Sequence, residues 1–212
     1  MGMALELGDG YRLRPATAAD HPALEMVCLK TGDSGKDATE REDDPRLLGL
    51  IYAVPYQVFA PEYAFVIDGP NGVCGYVLGA LDSAAYYEWA GREWFPKVAS
   101  TLADPGPDRD TWKGSDWARH ELHHPQFTYP PALHPYPAHG HIDLLPEIQG
   151  RGFGRKALEH VMAALKRDGA PGMHLGVGPR NRNALAFYER LGFVRLTGPD
   201  APRNAVYMVR EL

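Results

Sequence analysis

Leu144-Leu145-Pro146-Glu147-Ile148-Gln149-Gly150-Arg151-Gly152-Phe153-Gly154 decides how this chain folds. It reads as a strand passing through a turn into a helix, expected over Gly150 to Arg167 and ending at Gly169. Three glycines at alternate positions let the backbone come close to a ligand, and a helix start leaves several N–H groups without partners. Those groups and the helix dipole favour an anion, and Arg151 and Arg155 could add positive charge. Phosphate binding is therefore expected from the local physics. The spacing is not Gly-x-Gly-x-x-Gly, because Arg155 stands where the third glycine would be. No Gly-Lys-Ser/Thr follows either, so nucleoside triphosphate loops do not fit.

Around this loop, strands and helices alternate. His141 to Leu145 is expected as the strand before it and Met173 to Val177 as the strand after its helix. A helix over Asn181 to Leu191 is stopped by Gly192, and strands follow at Phe193 to Leu196 and Ala205 to Arg210. Near the N-terminus, Tyr11 to Pro15 reads as a strand. Thr17 and Asp20 resemble a helix start, before an apolar stripe (Leu24, Val27, Cys28) that ends near Gly32. Asp44-Pro45 opens a helix through about Tyr52, and Gly69-Pro70-Asn71-Gly72 joins strands Tyr63 to Asp68 and Val73 to Leu81 into a hairpin. Ser83 is the expected cap of a helix that Pro96 interrupts. From Ala103 to Gly140 fall seven prolines and five of the nine histidines, marking an insertion or active-site cover. The expectation is one α/β domain over residues 1–212. It has a mixed central sheet of about six to seven strands flanked by helices, and a helical and Pro/His-rich insertion over about 83–140.

Composition narrows the function classes. A formal charge of -5 over 212 residues offers no concentrated basic surface, so no nucleic-acid partner is expected. The longest apolar run, Leu47 to Pro55, is too short to span a bilayer. Met1 to Gly10 carries no secretory pattern, and Glu6 breaks the myristoylation pattern that Gly2 would begin, so a cytoplasmic location is expected. Cys28 and Cys74 sit among apolar neighbours and read as free buried thiols. His120-Glu121-Leu122-His123-His124 satisfies His-Glu-x-x-His, but Pro125 should end the helix at its second histidine. No resident metal is expected.

The spacing Gln-x-x-Gly-x-Gly at Gln149 to Gly154 resembles the acetyl-CoA loop of the GNAT superfamily of N-acyltransferases. Asn181-Arg182-Asn183-Ala184-Leu185-Ala186-Phe187-Tyr188-Glu189-Arg190-Leu191-Gly192-Phe193 resembles that superfamily's other signature. The resemblance covers nearly the whole chain and is weakest in the Pro/His-rich stretch. Cys28 to Thr39 and His141 to Glu147 are similar to a subgroup that includes the C-terminal acetyltransferase-like domain of eukaryotic O-GlcNAcase. What the resemblance implies is an acetyl-CoA-dependent N-acetyltransferase acting on a primary amine by direct attack in a ternary complex. It assigns cofactor contacts to Leu144, Leu145, Gln149, Gly150, Arg151, Gly152, Phe153, Gly154, Arg155, Asn181 and Tyr188. The N–H of Leu144 or Leu145 would polarise the thioester carbonyl. Tyr188 would lie near the CoA sulfur, hydrogen-bonding the thiolate unless its pKa is lowered enough to protonate it. Asn181 would touch the pantetheine arm, a role compatible with helix capping. Homodimers are common in the superfamily.

The residues themselves suggest where a base could lie. Strand alternation puts His139, His141, Asp143 and Leu145 on one face and Ile142 and Leu144 on the other. Two adjacent polar side chains on a central strand need water or a function, so a His141–Asp143 pair could take the amine proton or bind its ammonium. A structural hydrogen bond to the covering insertion is the alternative. The superfamily's first two helices border the acceptor site, which brings in Asp33 and Asp37 as substrate-binding candidates. The acidic surroundings favour a cationic acceptor, and Tyr52, Tyr56, Tyr86, Tyr87 and Trp89 either line a pocket or belong to the core. The competing function is a non-catalytic module that binds acyl-CoA or another protein on the same fold.

Overall fold

Strands β3 (Ala64–Gly69) and β4 (Gly72–Ala80) are nearly continuous apolar runs because both faces are covered. Phe65, Ile67 and Val77 enter one core, and Ala64, Val66, Tyr76 and Leu78 enter the other. The computed structural model describes residues 4–127, 129–198, 201 and 205–212, so Gly2 and its neighbours lie outside the described residues.

The remaining strands are β1 (Leu5–Gly8), β2 (Tyr11–Pro15), β5 (Ala138–Leu144), β6 (Gly172–Val177), β7 (Val194–Arg195) and β8 (Val206–Glu211). They form one open sheet in the order β1-β2-β3-β4-β5-β6-β8-β7, antiparallel except at β5–β6. Up to seven strands are expected from the sequence. The eighth is β1, hidden because its four residues run straight into a tight turn with positive φ at Gly8, Asp9 and Gly10.

Helix α7 (Phe153–Arg167) covers one face, burying Ala157, Leu158, Val161 and Leu165. It comes close because β4 carries Gly79, where a Cβ would stand 2.9 Å from Val161. Helix α8 (Arg182–Arg190) packs on the same core through Leu185 and Tyr188.

The other face takes α1 (His21–Thr31), α2 (Leu47–Tyr52) and α3 (Val54–Phe59). The insertion adds α4 (Ser83–Trp89), α5 (Phe95–Ala99) and α6 (Asp116–His123) to that same core, through Trp94, Phe95, Ala118 and Leu122. Pro96 lies in the first turn of α5, after a π-helical turn over Ala90–Trp94, so the chain changes pitch where a break was expected. Ser83 is not the cap. Asp82 caps α4 by accepting the Ala85 N–H, while Ser83 donates to the Pro137 carbonyl. The insertion is tied down by the buried Glu42, which accepts from Ser115 at 2.8 Å and from the Trp117 indole at 3.2 Å.

At the start of α1 the capping box forms as read, with Asp20 accepting from the Thr17 N–H. Arg14 makes two bonds to Asp20, at 2.7 and 2.9 Å, and these hold its carboxyl down at about 2. A depressed carboxyl stabilises the fold above its unfolded pKa and loses that contribution as pH falls through the folded one. Asp20→Asn should therefore cost about 2 kcal/mol at pH 7 in chemical denaturation. The gap to the unaltered protein should close as pH falls from about 4 to about 2.

Candidate active site

Between β5 and α7 the backbone is held open. Gly150 and Gly152 take φ of 74° and 81°, and a Cβ at either would meet nothing within 4 Å. That conformation delays the helix to Phe153, three residues later than expected. Among the described residues, no protein acceptor takes the N–H groups from Gly150 to Arg155. Gln149 braces the loop by donating to the Leu144 carbonyl at 2.8 Å. Gly154 lies where a Cβ would press on Leu144 at 2.9 Å, so it serves packing. Unpartnered donors on a helix N-terminus, facing open space, suit a pyrophosphate.

The two arginines are engaged elsewhere. Arg151 bonds Asp9 at 2.5 Å and lies over the Tyr11 and Phe153 rings. Arg155 reaches Glu159 and the Arg190 carbonyl. The cradle's positive potential therefore comes from its backbone.

Beside the cradle the sheet parts. Strands β5 and β6 pair at Ala138↔Met173 and His139↔His174, and the register extends no further. Beyond that point Gly140, His141, Leu175 and Gly176 line a gap. The Leu145 N–H donates to the Cys74 carbonyl at 2.9 Å, on the β4 side. Alternation along β5 then turns the Leu144 N–H toward the gap. Of the two donors named from sequence, Leu145 is taken by Cys74 and Leu144 faces the gap.

His141 and Asp143 lie on the α1 side of the sheet, as strand alternation requires. His141 Nε2 is 2.9 Å from Asp143 Oδ2, and the Tyr76 hydroxyl donates to the same oxygen at 2.5 Å. An ionised carboxylate only accepts, so Nε2 carries the proton and Nδ1 of the neutral ring is the acceptor. The imidazole is sandwiched between Tyr52 and Tyr76, with centroids at 6.1 and 5.6 Å. Tyr52 keeps 40% of its surface because it faces the cleft.

The cleft also takes in Cys28, Asn181 and Tyr188, in a cavity of about 310 Å³. Burial, and secondarily the charge of Asp143, push the Tyr188 phenol well above its ordinary value. That direction removes the condition under which Tyr188 could hand over its proton, and leaves it a hydrogen-bond donor. Asn181 caps α8 by accepting the Ala184 N–H.

Asp33 and Asp37 are not brought to this cavity. Asp37 bonds Lys30 and Thr39, and Asp33 pairs with Arg41 and approaches Arg180. From that loop Thr31, Gly32, Ser34 and Gly35 form the wall. Sequence reasoning missed Tyr76 and Cys28 as site residues, since a β-strand tyrosine and an α1 cysteine look like core. The period-2 register of β4 against β5, which pairs Tyr76 with Asp143, was the available signal.

A family model described as acetyltransferase (GNAT) family matches residues 129–193, which hold both glycine-loop and Asn181–Phe193 motifs. The crystal structure of SsHAT is 35% identical, with a TM-score of 0.85 over 95% of this chain and 98% of that one. The chain belongs to the GNAT acetyltransferase family. It is thus an acyltransferase by descent, and its eight-stranded sheet is the GNAT sheet. Protein O-GlcNAcase of Rattus norvegicus and that of Mus musculus are each 22% identical over 204 residues, or 95% of this chain. The chain spans 22% of the length of those relatives. The [ribosomal protein bS18]-alanine N-acetyltransferase of Salmonella typhimurium is 42% identical over 52 residues, 24% of this GNAT chain and 35% of that one.

Both cysteines are free and buried in this GNAT protein, and burial raises both thiols: Cys74 to about 11 and Cys28 further. Only the thiolate reacts. Native protein should therefore resist a thiol reagent at pH 8 at least about 100-fold longer than urea-unfolded protein. Mass spectrometry over a time course checks this.

Proposed function

We propose that this chain is an acetyl-CoA-dependent N-acetyltransferase whose acceptor is a primary amine attacking directly in a ternary complex. The observation that carries the reading is the adjacency of the unpartnered Gly150–Arg155 N–H groups, the β5–β6 gap and the His141–Asp143 pair. Acetyl-CoA supplies an activated acetyl thioester. The Gly150 to Arg155 backbone holds its pyrophosphate, with Gln149 bracing the loop, and Asn181 is offered to the pantetheine arm from the cavity wall.

An alkyl ammonium with a pKa of roughly 10.4 is unreactive until it loses a proton. His141 accepts that proton at Nδ1, while Asp143 holds the other nitrogen and stabilises the imidazolium formed. Tyr76 fixes Asp143 in turn. Leu144 offers its N–H to the carbonyl oxygen that gains charge. Tyr188 donates a hydrogen bond to the departing thiolate, and its raised pKa keeps it protonated across the working range.

Calorimetric titration tests the cofactor site. Acetyl-CoA should bind the unaltered protein in the micromolar range, and Gly152→Glu, with its fold checked by circular dichroism, should lose that binding. Equal binding by both would overturn the cradle. His141→Ala should lower kcat/KM by about 10²–10⁴-fold, with acetyl-CoA binding retained. Binding without turnover of any amine would leave the chain a non-catalytic acyl-CoA module.

A further inference from the structure

A second cavity of about 270 Å³ opens from the first. The two share Tyr52, Gly140, His141, Leu175 and Gly176, so His141 stands at their junction. The walls of this second cavity are rings supplied by separate elements: Tyr52 of α2, Tyr56 of α3, Tyr87 of α4, Phe95 of α5, Phe127 of the loop after α6 and Tyr207 of β8. Tyr87 and Phe127 stack at 5.2 Å with their planes 17° apart, giving one wall a flat face.

The charge in these cavities has one sign. Glu121 of α6 lines the second and Asp143 the first, and among the described residues neither is lined by a lysine or an arginine. Glu121 accepts the Gln126 N–H, yet burial still raises its carboxyl above the ordinary range, outweighing both that bond and the weaker pull of His120. An ammonium entering the cleft would supply that missing charge. Aromatic faces attract the same group through their quadrupoles. The deepest polar residues add nothing positive. His139 gives its Nδ1 to Ser83, whose own proton goes to the Pro137 carbonyl, and burial holds this histidine neutral. His174 donates Nδ1 to the Tyr136 carbonyl and is lowered by the same cause.

Size limits the ligand. At about 30 Å³ for each water's share of liquid volume, the second cavity holds the equivalent of about nine waters. That suits roughly ten non-hydrogen atoms, which is a small molecule.

Resting on the acetyltransferase reading, we infer that the acceptor is a small primary amine carrying a flat aromatic body. The ring lies in the Tyr56–Tyr87–Phe127 cavity and the amine points at His141. In the transfer the ammonium gives its first proton to His141, which passes it to water; the nitrogen then forms the C–N bond as the acetyl C–S bond breaks, and its second proton goes through His141 to the CoA thiolate. The products are the N-acetylated arylalkylamine and CoA. Amino sugars and polyamines lack the flat body, and a peptide lysine brings its amine on an alkyl chain.

The test is thiol release from acetyl-CoA with 2-phenylethylamine, ethylamine, spermidine, glucosamine and a lysine-containing peptide. The expected kcat/KM for 2-phenylethylamine exceeds that for ethylamine at least 100-fold. Tyr87→Leu and Phe127→Leu should each cut that ratio about 10-fold or more. Glu121→Gln should raise KM for 2-phenylethylamine several-fold with little change in kcat. Faster turnover of glucosamine, spermidine or the peptide would overturn the inference while upholding acetyl transfer. Should no amine be acetylated, titration of 2-phenylethylamine into the CoA-saturated protein decides. Binding weakened by Tyr87→Leu supports the assigned cavity, and no binding overturns it.

Discussion

After His139, β5 keeps its hydrogen bonds to β4 on one edge and loses those to β6 on the other. A central strand with one bare edge would be costly, because buried backbone groups need partners. The bare edge is tolerable where a ligand can use it. Gly140, Ile142 and Leu144 turn their backbone polar groups that way, and the cradle opens beside the strand's end. Side chains obey the same register: with Leu145 fixed to Cys74, His141 and Asp143 must project toward α1. One strand thus presents a bare donor edge to the gap and a polar face, His141 and Asp143, to the cleft.

The insertion extends this plan by completing a wall. Its helices bury Trp94, Phe95 and Leu122 in the core beneath α1 and α2, and its tether to Glu42 is buried. Fixed hydrogen bonds on both sides, including the Trp94 indole to the Leu50 carbonyl, make it part of the scaffold. Rigid aromatic walls are a way to recognise a flat ligand at low entropic cost, since a tyrosine has few rotatable bonds to immobilise. The one acid on that wall, Glu121, falls within the histidine-rich motif that resembles a zinc site in sequence. In space Asp104, from the loop after α5, meets His120 and His124 at the end of α6, with His124 bonded to Asp104 at 2.7 Å.

Most of the fold is legible in local sequence because glycines and prolines mark its turns. The hairpin at Gly69–Gly72, the α1 capping box and the order of elements after His141 all follow from short-range rules. The errors are also physical. Helix α7 starts late because φ at Gly150 and Gly152 depends on the loop's path, which helix periodicity does not encode. Strand β1 is too short for a pattern to emerge. In the site, the glycine loop and the His141–Asp143 pair are readable because each depends on one segment's own period. Tyr76 and Cys28 belong to the site only through strand pairing and the packing of α1. Asp33 and Asp37 enter only through the family resemblance, and nearby basic side chains pair with both at the surface.

The environment of Tyr188 bears on how a tyrosine serves this reaction. Desolvation and the neighbouring carboxylate both disfavour a phenolate, so the proton stays on oxygen. A donor that cannot release its proton still lowers the energy of an adjacent thiolate, by a charge-assisted hydrogen bond made strong by the dry surroundings. The charge of Asp143, which adds to burial in keeping the Tyr188 proton in place, also fixes the His141 tautomer with its proton on Nε2. The same carboxylate therefore faces both the Tyr188 phenol and the His141 imidazole, so one acid conditions the hydrogen-bonding character of both.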